Sequence, residues 1–335
     1  NPENKVYSLL GVLREQKRRR PHVIIGVAGC VAQQEGERIL QREKAVDMVF
    51  GPDNYFRLPE MLRAVRQGER VCCTAWQPRQ RKVQNFIPEE WVERGHVDGV
   101  KAYIAITKGC NNMCTFCIVP FTRGREVSRE PENILREARS LVEKGAKEIW
   151  LLGQNVNSYC PHPDYRFYHL LDDVSQIDGL ERIRFTSPHP KDWNAALSDL
   201  MAERKRICKH LHLPFQAGSN RILALMRRNH TIEEYLAKIE YLRSVVPTVE
   251  ITTDLIVGFP TETEEDFERT LDVLRTVRFS QVYPFKYSPR PGTEAAKMTD
   301  DVPREAKEER LARVIALQEE INEKAMQNYV GTVQE

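Results

Sequence analysis

Apolar and polar positions along this chain fall into blocks. Amphipathic stretches with a helical period alternate with short, nearly continuous apolar runs, the mark of helices interleaved with buried parallel strands. Over residues 1–85 the pattern predicts a helix at Lys5–Lys17 and a strand in VIIGVAGC (Val23–Cys30). A helix at Val31–Arg42, a short strand at Asp47–Gly51 and a third helix at Asn54–Arg66 follow, with Asp53 or Asn54 as candidate cap. Two clear strands amount to a small, incomplete α/β sheet. Residues Thr74–Gly99 are polar, proline-containing and charged (QPRQRKVQ); they read as linker, with 86–100 as the joint before the next domain.

From Lys101 the alternation resumes and lasts much longer, defining a domain over 101–330. Strands are predicted at Ala102–Thr107, Glu148–Gly153, Arg182–Ser187, His210–Pro214, Val249–Gly258 and Gln281–Ser288. Helical patterns lie at Pro131–Lys144, Asp192–Glu203, Asn220–Arg227, Ile232–Val245 and Glu264–Val277. The fold class is therefore α/β, with six strands curling toward a partial (β/α)6 barrel whose site lies at the C-terminal strand ends. Val302–Val330 reads as a long charged helix. Its apolar positions Leu311, Val314, Ile315, Leu317 and Ile321 form one face, expected to pack on the barrel.

Composition narrows the function classes. The 335 residues are 41% hydrophobic, enough for a core, and no apolar run approaches the ~18–20 residues of a membrane helix. The opening NPENKVYS has neither Met nor a secretory pattern and reads as trimmed. A net charge of +2 does not advertise a nucleic-acid binder, and the basic runs QKRRR (Gln16–Arg20) and RQRK (Arg79–Lys82) read as solvated faces or loops. Eight cysteines, partly clustered, point to metal or redox chemistry in a reducing compartment, hence a cytoplasmic protein.

The chemistry gathers at KGCNNMCTFCIVPFT (Lys108–Thr122). Cys110, Cys114 and Cys117 follow the first barrel strand directly, at spacings that let three thiolates converge. A zinc site would need a fourth ligand, and no histidine lies close by in sequence. A four-iron cubane held at three corners leaves one iron open. That iron can chelate S-adenosylmethionine and pass an electron into its sulfonium, giving a 5′-deoxyadenosyl radical. Elsewhere a cysteine is first read as a small hydrophobe. Cys30 closes a strand, Cys72 and Cys73 are adjacent and structural, Cys208 precedes a strand, and Cys160 lies in a loop of the active face.

The CxxxCxxC spacing, Phe116 before Cys117 and the six-fold βα pattern resemble the radical S-adenosylmethionine superfamily. GCNNMCTFCIVPFTRGREVSR (Gly109–Arg129), LLGQNVNSY (Leu151–Tyr159) and RIRFTSPHP (Arg182–Pro190) narrow this to the tRNA methylthiotransferases. HLPFQAGSNRIL (His212–Leu223), IVGFPTETEEDF (Ile256–Phe267) and YSPRPGTEAA (Tyr287–Ala296) agree with them. The branch resembled makes 2-methylthio-N6-dimethylallyladenosine in tRNA. LGQNVNSY and RFTSPHP separate it from the branch that acts on a ribosomal-protein aspartate.

The resemblance implies two 4Fe–4S clusters. Cys110, Cys114 and Cys117 match the ligands of the first. Cys30 matches the third ligand of an auxiliary cluster whose other two cysteines lie upstream of this chain's start, so the second cluster is expected to be incomplete here. The N-terminal 1–85 matches the methylthiotransferase N-terminal domain in truncated form, and the family's small C-terminal β domain (TRAM) is expected to be missing beyond GTVQE, weakening tRNA affinity. One S-adenosylmethionine methylates a cluster-held sulfur; a second supplies the radical that removes the C2 hydrogen of an adenosine beside the anticodon. Partners implied are tRNA and an electron donor such as flavodoxin or ferredoxin, with no membrane and a monomeric state.

The remaining candidates line the strand ends. Gly153, Gln154 and Asn155 suit backbone approach to the methionine part of the cosubstrate, or a capped βα turn. Ser187 and His189 flank a proline-fixed loop, and Gln216 follows the fourth strand beside Ser219, which also suits a helix cap. Gly258 and Phe259 follow the fifth; Phe259 is a candidate to stack on adenine, although capping by Thr261–Glu264 explains part of that text. Arg123, Arg125, His189 and Arg290 are candidate substrate contacts, with the two former also suited to an anionic cluster or to phosphate. A flipped-out adenine fits a reaction at a ring edge.

Overall fold

The computed structural model describes residues 2–76, 85–327 and 329–333. The RQRK run, Arg79–Lys82, lies outside the described residues. Two compact units result. One takes the chain up to Gln80 together with Ile118–Arg125, the other Arg81–Cys117 with Glu126–Glu335.

In the first unit a three-stranded parallel sheet, β1 (Gly26–Ala28), β2 (Met48–Phe50) and β3 (Val71–Cys73), pairs in that order. The third strand is missing from the sequence reading because VCC carries a weak apolar signal, with Val71 and Cys72 only half-buried. Helix α1 (Pro2–Arg19) covers one face, and Leu10, Ile25, Val27, Ile39 and Val49 form the core beneath it. Asp47 fixes the register of this packing, accepting from the Ile25 N–H (2.7 Å) and pairing with Lys17. The helix expected at Val31–Arg42 is two pieces, α2 (Cys30–Glu35) and α3 (Glu37–Arg42). Gly36 breaks it with φ +48°, a left-handed conformation that favours glycine. On the other face α4 (Leu58–Arg66) buries Met61 beside Met48, Phe50 and Cys73.

The second unit begins earlier than the linker reading allowed. Residues Glu89–Val92 form a short helix, α5, with Val92 fully buried, and Glu89 accepts from the Asn133 amide (2.9 Å). Polarity disguised this segment: only one of its side chains needs burial, so no period shows.

Six parallel strands follow in chain order, with two short antiparallel pieces, β5 (Thr107–Lys108) and β6 (Val127–Ser128), after the first. β4 (Lys101–Ala105), β7 (Glu148–Leu152) and β8 (Arg182–Phe185) make one sheet; β9 (His210–His212), β10 (Glu250–Val257) and β11 (Gln281–Lys286) make another. A parallel bridge between Ile183 and Ile207 carries the pairing from one to the other. The strands alternate as half-barrel strands should. Ala102, Ile104, Ile149, Leu151 and Ile183 are buried, whereas Tyr103 stands exposed between buried neighbours. The short helix α6 (Val119–Arg123) belongs to the first unit; α7 (Pro131–Glu143) begins the series that follows the strands.

After α7 come α8 (Phe167–Ser175), α9 (Ala195–Glu203), α10 (Asn220–Leu225), α11 (Ile232–Val245) and α12 (Glu264–Val277). α8 is absent from the sequence reading, although Phe167, Leu170, Leu171 and Val174 sit at helical spacing and are all buried. The tail forms α13 (Arg304–Gln327). Its Val314 is wholly buried and Leu311, Leu317 and Ile321 pack on the barrel core, as the apolar face predicts. Ile315 departs from that face and is 43% exposed.

Candidate active site

The loop between β5 and α6 carries Cys110, Cys114 and Cys117, all free thiols, with Cys114 the most buried. It is held from three sides. Gly109, at φ +82°, donates its N–H to Gln154 Oε1 (2.6 Å). Thr115 donates from N to Met226 O (3.1 Å) and from Oγ1 to Leu225 O (2.9 Å), fastening the loop to the end of α10. Its own carbonyl accepts from the Ala295 N–H (2.8 Å) in the loop after β11.

The thiols stand within electrostatic reach of one another. Burial pushes the Cys110 thiol up to about 11, with Cys117, Glu126 and Cys114 adding to the rise and the Asn112 N–H opposing it. The described side chains do not by themselves form a closed group of three metal ligands. The donor set nevertheless fits an iron–sulfur cluster: three thiols in one pinned loop, which must lose their protons to bind metal. Buried polar atoms left without a partner support that fit. They are Thr107 Oγ1, Asn155 Oδ1 and His189 Nε2, which follow barrel strands, and Arg228 Nε and His230 Nε2 in the turn between α10 and α11. Unpartnered buried polar atoms are rare in a finished interior, and a cluster of them marks a place built for a guest.

Around this loop the predicted residues take distinct places. A Cβ on Gly153 would lie 2.2 Å from Thr107 Oγ1 and 3.2 Å from Val156 Cα, so only glycine lets the ends of β4 and β7 approach. Gln154 anchors Gly109. Asn155, 1% exposed, donates to Asp192 Oδ2 (2.7 Å). Ser187 is exposed in the left-handed region (φ +59°), and its carbonyl accepts from the Val156 N–H. His189 is 5% exposed; its backbone exchanges two hydrogen bonds with the Asn157 amide, and its Nδ1 accepts from the Lys191 N–H (3.2 Å). Burial, then the charge of Arg228, hold its imidazole far below the usual range, so the ring is neutral.

Gln216 is buried at φ +71°, its backbone continuing the pairing onto Leu255. Ser219 does not cap α10 with its side chain; it donates to Asp266 Oδ1 (2.5 Å), which in turn caps α12 with Thr263. Gly258 (φ +68°) lies so close to α13 that a Cβ would meet Lys307 Cγ at 2.3 Å. Phe259, the candidate for adenine stacking, has its ring wholly buried and edge-on to Tyr287 at 5.2 Å. Arg290 is exposed, and its carbonyl accepts from Thr293 N and Oγ1.

Arg123 and Arg125 belong with the first unit. There Arg123 donates from Nε to Cys30 Sγ (3.3 Å), and Cys30 opens α2 just after Gly29 at φ +101°. Among the described residues no other acid, histidine or cysteine joins Cys30 in a metal-binding group. Arg125 is exposed.

Sequence reasoning missed three groups. Glu126 accepts from Ser158 Oγ (2.7 Å) and its carboxyl is raised by burial, with the Ser158 bond opposing. His230 packs edge-on to His189, ring centres 5.9 Å apart, and burial takes it down to about 4. Arg228 reaches Cys114. The one signal was the polar run RRNH (Arg227–His230) inside an otherwise helical stretch.

Residues 104–274 match the Radical SAM superfamily, and residues 1–51 match the uncharacterised protein family UPF0004. Among curated proteins, the tRNA-2-methylthio-N(6)-dimethylallyladenosine synthase of Geotalea uraniireducens is 46% identical over 335 residues, covering 99% of this chain and 75% of the relative. Its counterpart in Aquifex aeolicus is 47% identical over 339 residues, covering 100% of this chain and 76% of the relative. Among solved structures, the radical S-adenosylmethionine methyltransferase TsrM of Kitasatospora setae, with tryptophan and a SAM analogue bound, superposes with a TM-score of 0.64. That match has 17% identity and covers 86% of this chain and 60% of the other. The cobalamin-dependent radical enzyme OxsB gives a TM-score of 0.57 at 13% identity, covering 96% of this chain and 46% of the other. Such distant likenesses bear on the fold, an open α/β barrel. A 4Fe–4S cluster and S-adenosylmethionine are what this superfamily works with. With a strand-end loop of three thiols and near-complete coverage by these relatives, the chain belongs to the tRNA-2-methylthio-N(6)-dimethylallyladenosine synthase family of radical SAM enzymes.

Proposed function

We propose that the protein converts N6-dimethylallyladenosine beside the anticodon of tRNA to its 2-methylthio derivative. The observation that carries this is the 46% identity, over 99% of the chain, to a relative named for that product. Cys110, Cys114 and Cys117 hold the radical-generating cluster. When bound, that cluster supplies the electron that cleaves S-adenosylmethionine to a hydrogen-abstracting radical, which suits an aromatic C–H with no useful acidity.

The chain's own residues do the positioning. Gln154, Thr115 and the Ala295 N–H fix the loop that carries the three thiols. Gly153 and Gly258 bring backbone close without side-chain bulk, and Asn155 and Ser187 border the same strand ends. The neutral His189 presents an unpartnered ring nitrogen. Cys30, next to the Arg123 guanidinium, would supply one ligand of an auxiliary cluster, which the described residues alone do not complete. Arg125 and Arg290, both exposed, meet the tRNA backbone. No described helix is long and apolar enough to cross a membrane. The reaction on tRNA would draw its electrons from a low-potential carrier such as a flavodoxin or ferredoxin.

The test is anaerobic reconstitution of the protein with iron and sulfide, then incubation with S-adenosylmethionine, a reductant and either tRNA carrying N6-dimethylallyladenosine or ribosomal protein. Nucleoside mass spectrometry is expected to show a methylthio group on the tRNA. A methylthio group on the protein substrate alone sinks this reading in favour of the aspartate-modifying branch. Cys114→Ala is expected to abolish reductive cleavage of S-adenosylmethionine; intact cleavage in that variant removes the cluster assignment.

A further inference from the structure

Arg228 sits where a cation is costly. It is 6% exposed, and among the described residues no carboxylate pairs with it. Its Nη2 donates to Pro214 O (2.7 Å), its Nη1 points at Cys114 Sγ (3.6 Å), and its Nε has no partner. A buried guanidinium without a counter-ion is strongly unfavourable, so its presence calls for an anion supplied by something else. The neighbouring groups supply none. His189 and His230 are held neutral beside it, and the charge of Arg228 is itself one cause in each case.

The position is built rather than incidental. Arg227 and Asn229, on either side, both take left-handed backbone (φ +54° and +53°), a conformation uncommon for residues other than glycine. The Arg228 carbonyl is tied to His230 Nδ1 (3.0 Å), and Leu225 and Met226, just before, hold Thr115 of the cysteine loop. One turn therefore fastens the loop and aims a cation at one of its three thiols.

We propose that Arg228 is the counter-charge of the radical-generating cluster, acting through Cys114 to make the cluster easier to reduce. A four-iron cluster on three thiolates is net negative, and one electron from a low-potential reductant adds a further negative charge while no bond in the chain forms or breaks. A fixed positive charge at a ligand sulfur stabilises the reduced form more than the oxidised one. Net charge and hydrogen bonds to the sulfurs are among the factors that set such potentials. Arg228 is thus a positioning residue for the electron, not a ligand.

This inference rests on Cys110, Cys114 and Cys117 as the cluster ligands. The experiment compares the reconstituted parent with Arg228→Gln and Arg228→Lys, first without and then with S-adenosylmethionine, by iron and sulfide counts and a redox titration followed by electron paramagnetic resonance. A parent without iron at this loop sinks the cluster reading itself. With the cluster present, Arg228→Gln is expected to bind iron like the parent but to be at least tenfold harder to reduce, a midpoint lower by about 59 mV or more. Arg228→Lys, which keeps the charge, is expected to recover most of that shift. A parent-like midpoint in Arg228→Gln overturns the proposal, as does a shift seen only when S-adenosylmethionine is present, which would assign the cation to the cosubstrate. Loss of iron from both variants with unchanged circular dichroism also overturns it, in favour of a purely structural role.

Discussion

Removing Arg310 should destabilise the protein in a pH-dependent way. The Glu262 side chain is 1% exposed and that of Arg310 8%. Arg310 Nη1 donates to Glu262 Oε2 (2.8 Å) and to the Glu262 carbonyl (3.2 Å), and Nη2 lies 3.3 Å from Glu264. The same Glu262 oxygen accepts from the Gly258 N–H (2.6 Å), so the pair ties α13 to the loop after β10. Burial raises the Glu262 carboxyl to about 7, against the pull of the Gly258 N–H and of Arg310.

The sign follows from that direction. The folded acid holds its proton more tightly than the unfolded one. Its contribution is fully present below about pH 4.5 and is lost as pH rises through 7, a swing of roughly 3 kcal/mol. Arg310→Met takes away the one cation hydrogen-bonded to this carboxylate among the described residues and raises its affinity for protons further. At pH 8 the parent acid is ionised against Arg310 whereas the variant's keeps its proton, so the loss exceeds that at low pH by about 1.4 kcal/mol, the one pH unit above the parent's value of about 7. At pH 5 the acid is neutral and the loss is the hydrogen bonds, roughly 1–2 kcal/mol. Urea unfolding of parent and variant at both pH values reads the difference directly. Glu262→Gln in the Arg310→Met background should abolish the pH dependence of the loss. Equal losses at pH 5 and pH 8 would show that Arg310 acts through packing on the Phe267 ring, 5.5 Å away, rather than through charge.

His230 predicts the opposite slope. Its folded value of about 4 lies below the unfolded one, so its contribution is complete above about pH 6.5 and is lost as pH falls through 4, by roughly 3 kcal/mol. The groups acting on it are Arg228, Lys238 and Glu234, with His189 in ring contact. His230→Gln should lower the pH slope of stability near pH 5 by close to one proton, and an unchanged slope removes His230 as its source. Gly153→Ala places a methyl against Thr107 and the Val156 backbone, so it should cost about 1–3 kcal/mol and loosen the joint between β4 and β7. Thermal unfolding of Gly153→Ala and of Gly153→Ala with Thr107→Ala separates the two contacts; the double change should recover part of the loss, and no recovery places the clash on the backbone.

The barrel was readable because its strands are apolar on a single pattern and its helices carry a strong period. Ile232–Val245 and Glu264–Val277 match the predicted spans residue for residue. Failures came where the signal is short or mixed. β3 is only half-buried at two of its three positions, α5 buries one side chain fully, and α8 begins inside a His- and Pro-rich stretch that hides Phe167, Leu170, Leu171 and Val174. Gly36 broke a predicted helix because left-handed backbone is decided by the tertiary turn between α2 and α3, not by the period.

The site divides along the same line, between what is local in the chain and what is not. Ligand identity is local: Cys110, Cys114 and Cys117 lie within one loop and can be read from eight residues. Their environment is not. Thr115 is fixed by a carbonyl 110 residues away, Gly109 by an amide 45 residues away, and Cys114 meets a cation 114 residues away. No spacing rule could place Arg228, because its position depends on two left-handed residues that let one turn both hold the loop and face it. The same distinction explains Phe259. Its place after β10 is legible, but whether its ring faces a ligand or the core depends on Tyr287, which arrives from the loop after the last strand. A motif thus names the chemistry the thiols can do, whereas the ease of that chemistry is set by residues that only the closed sheet brings near.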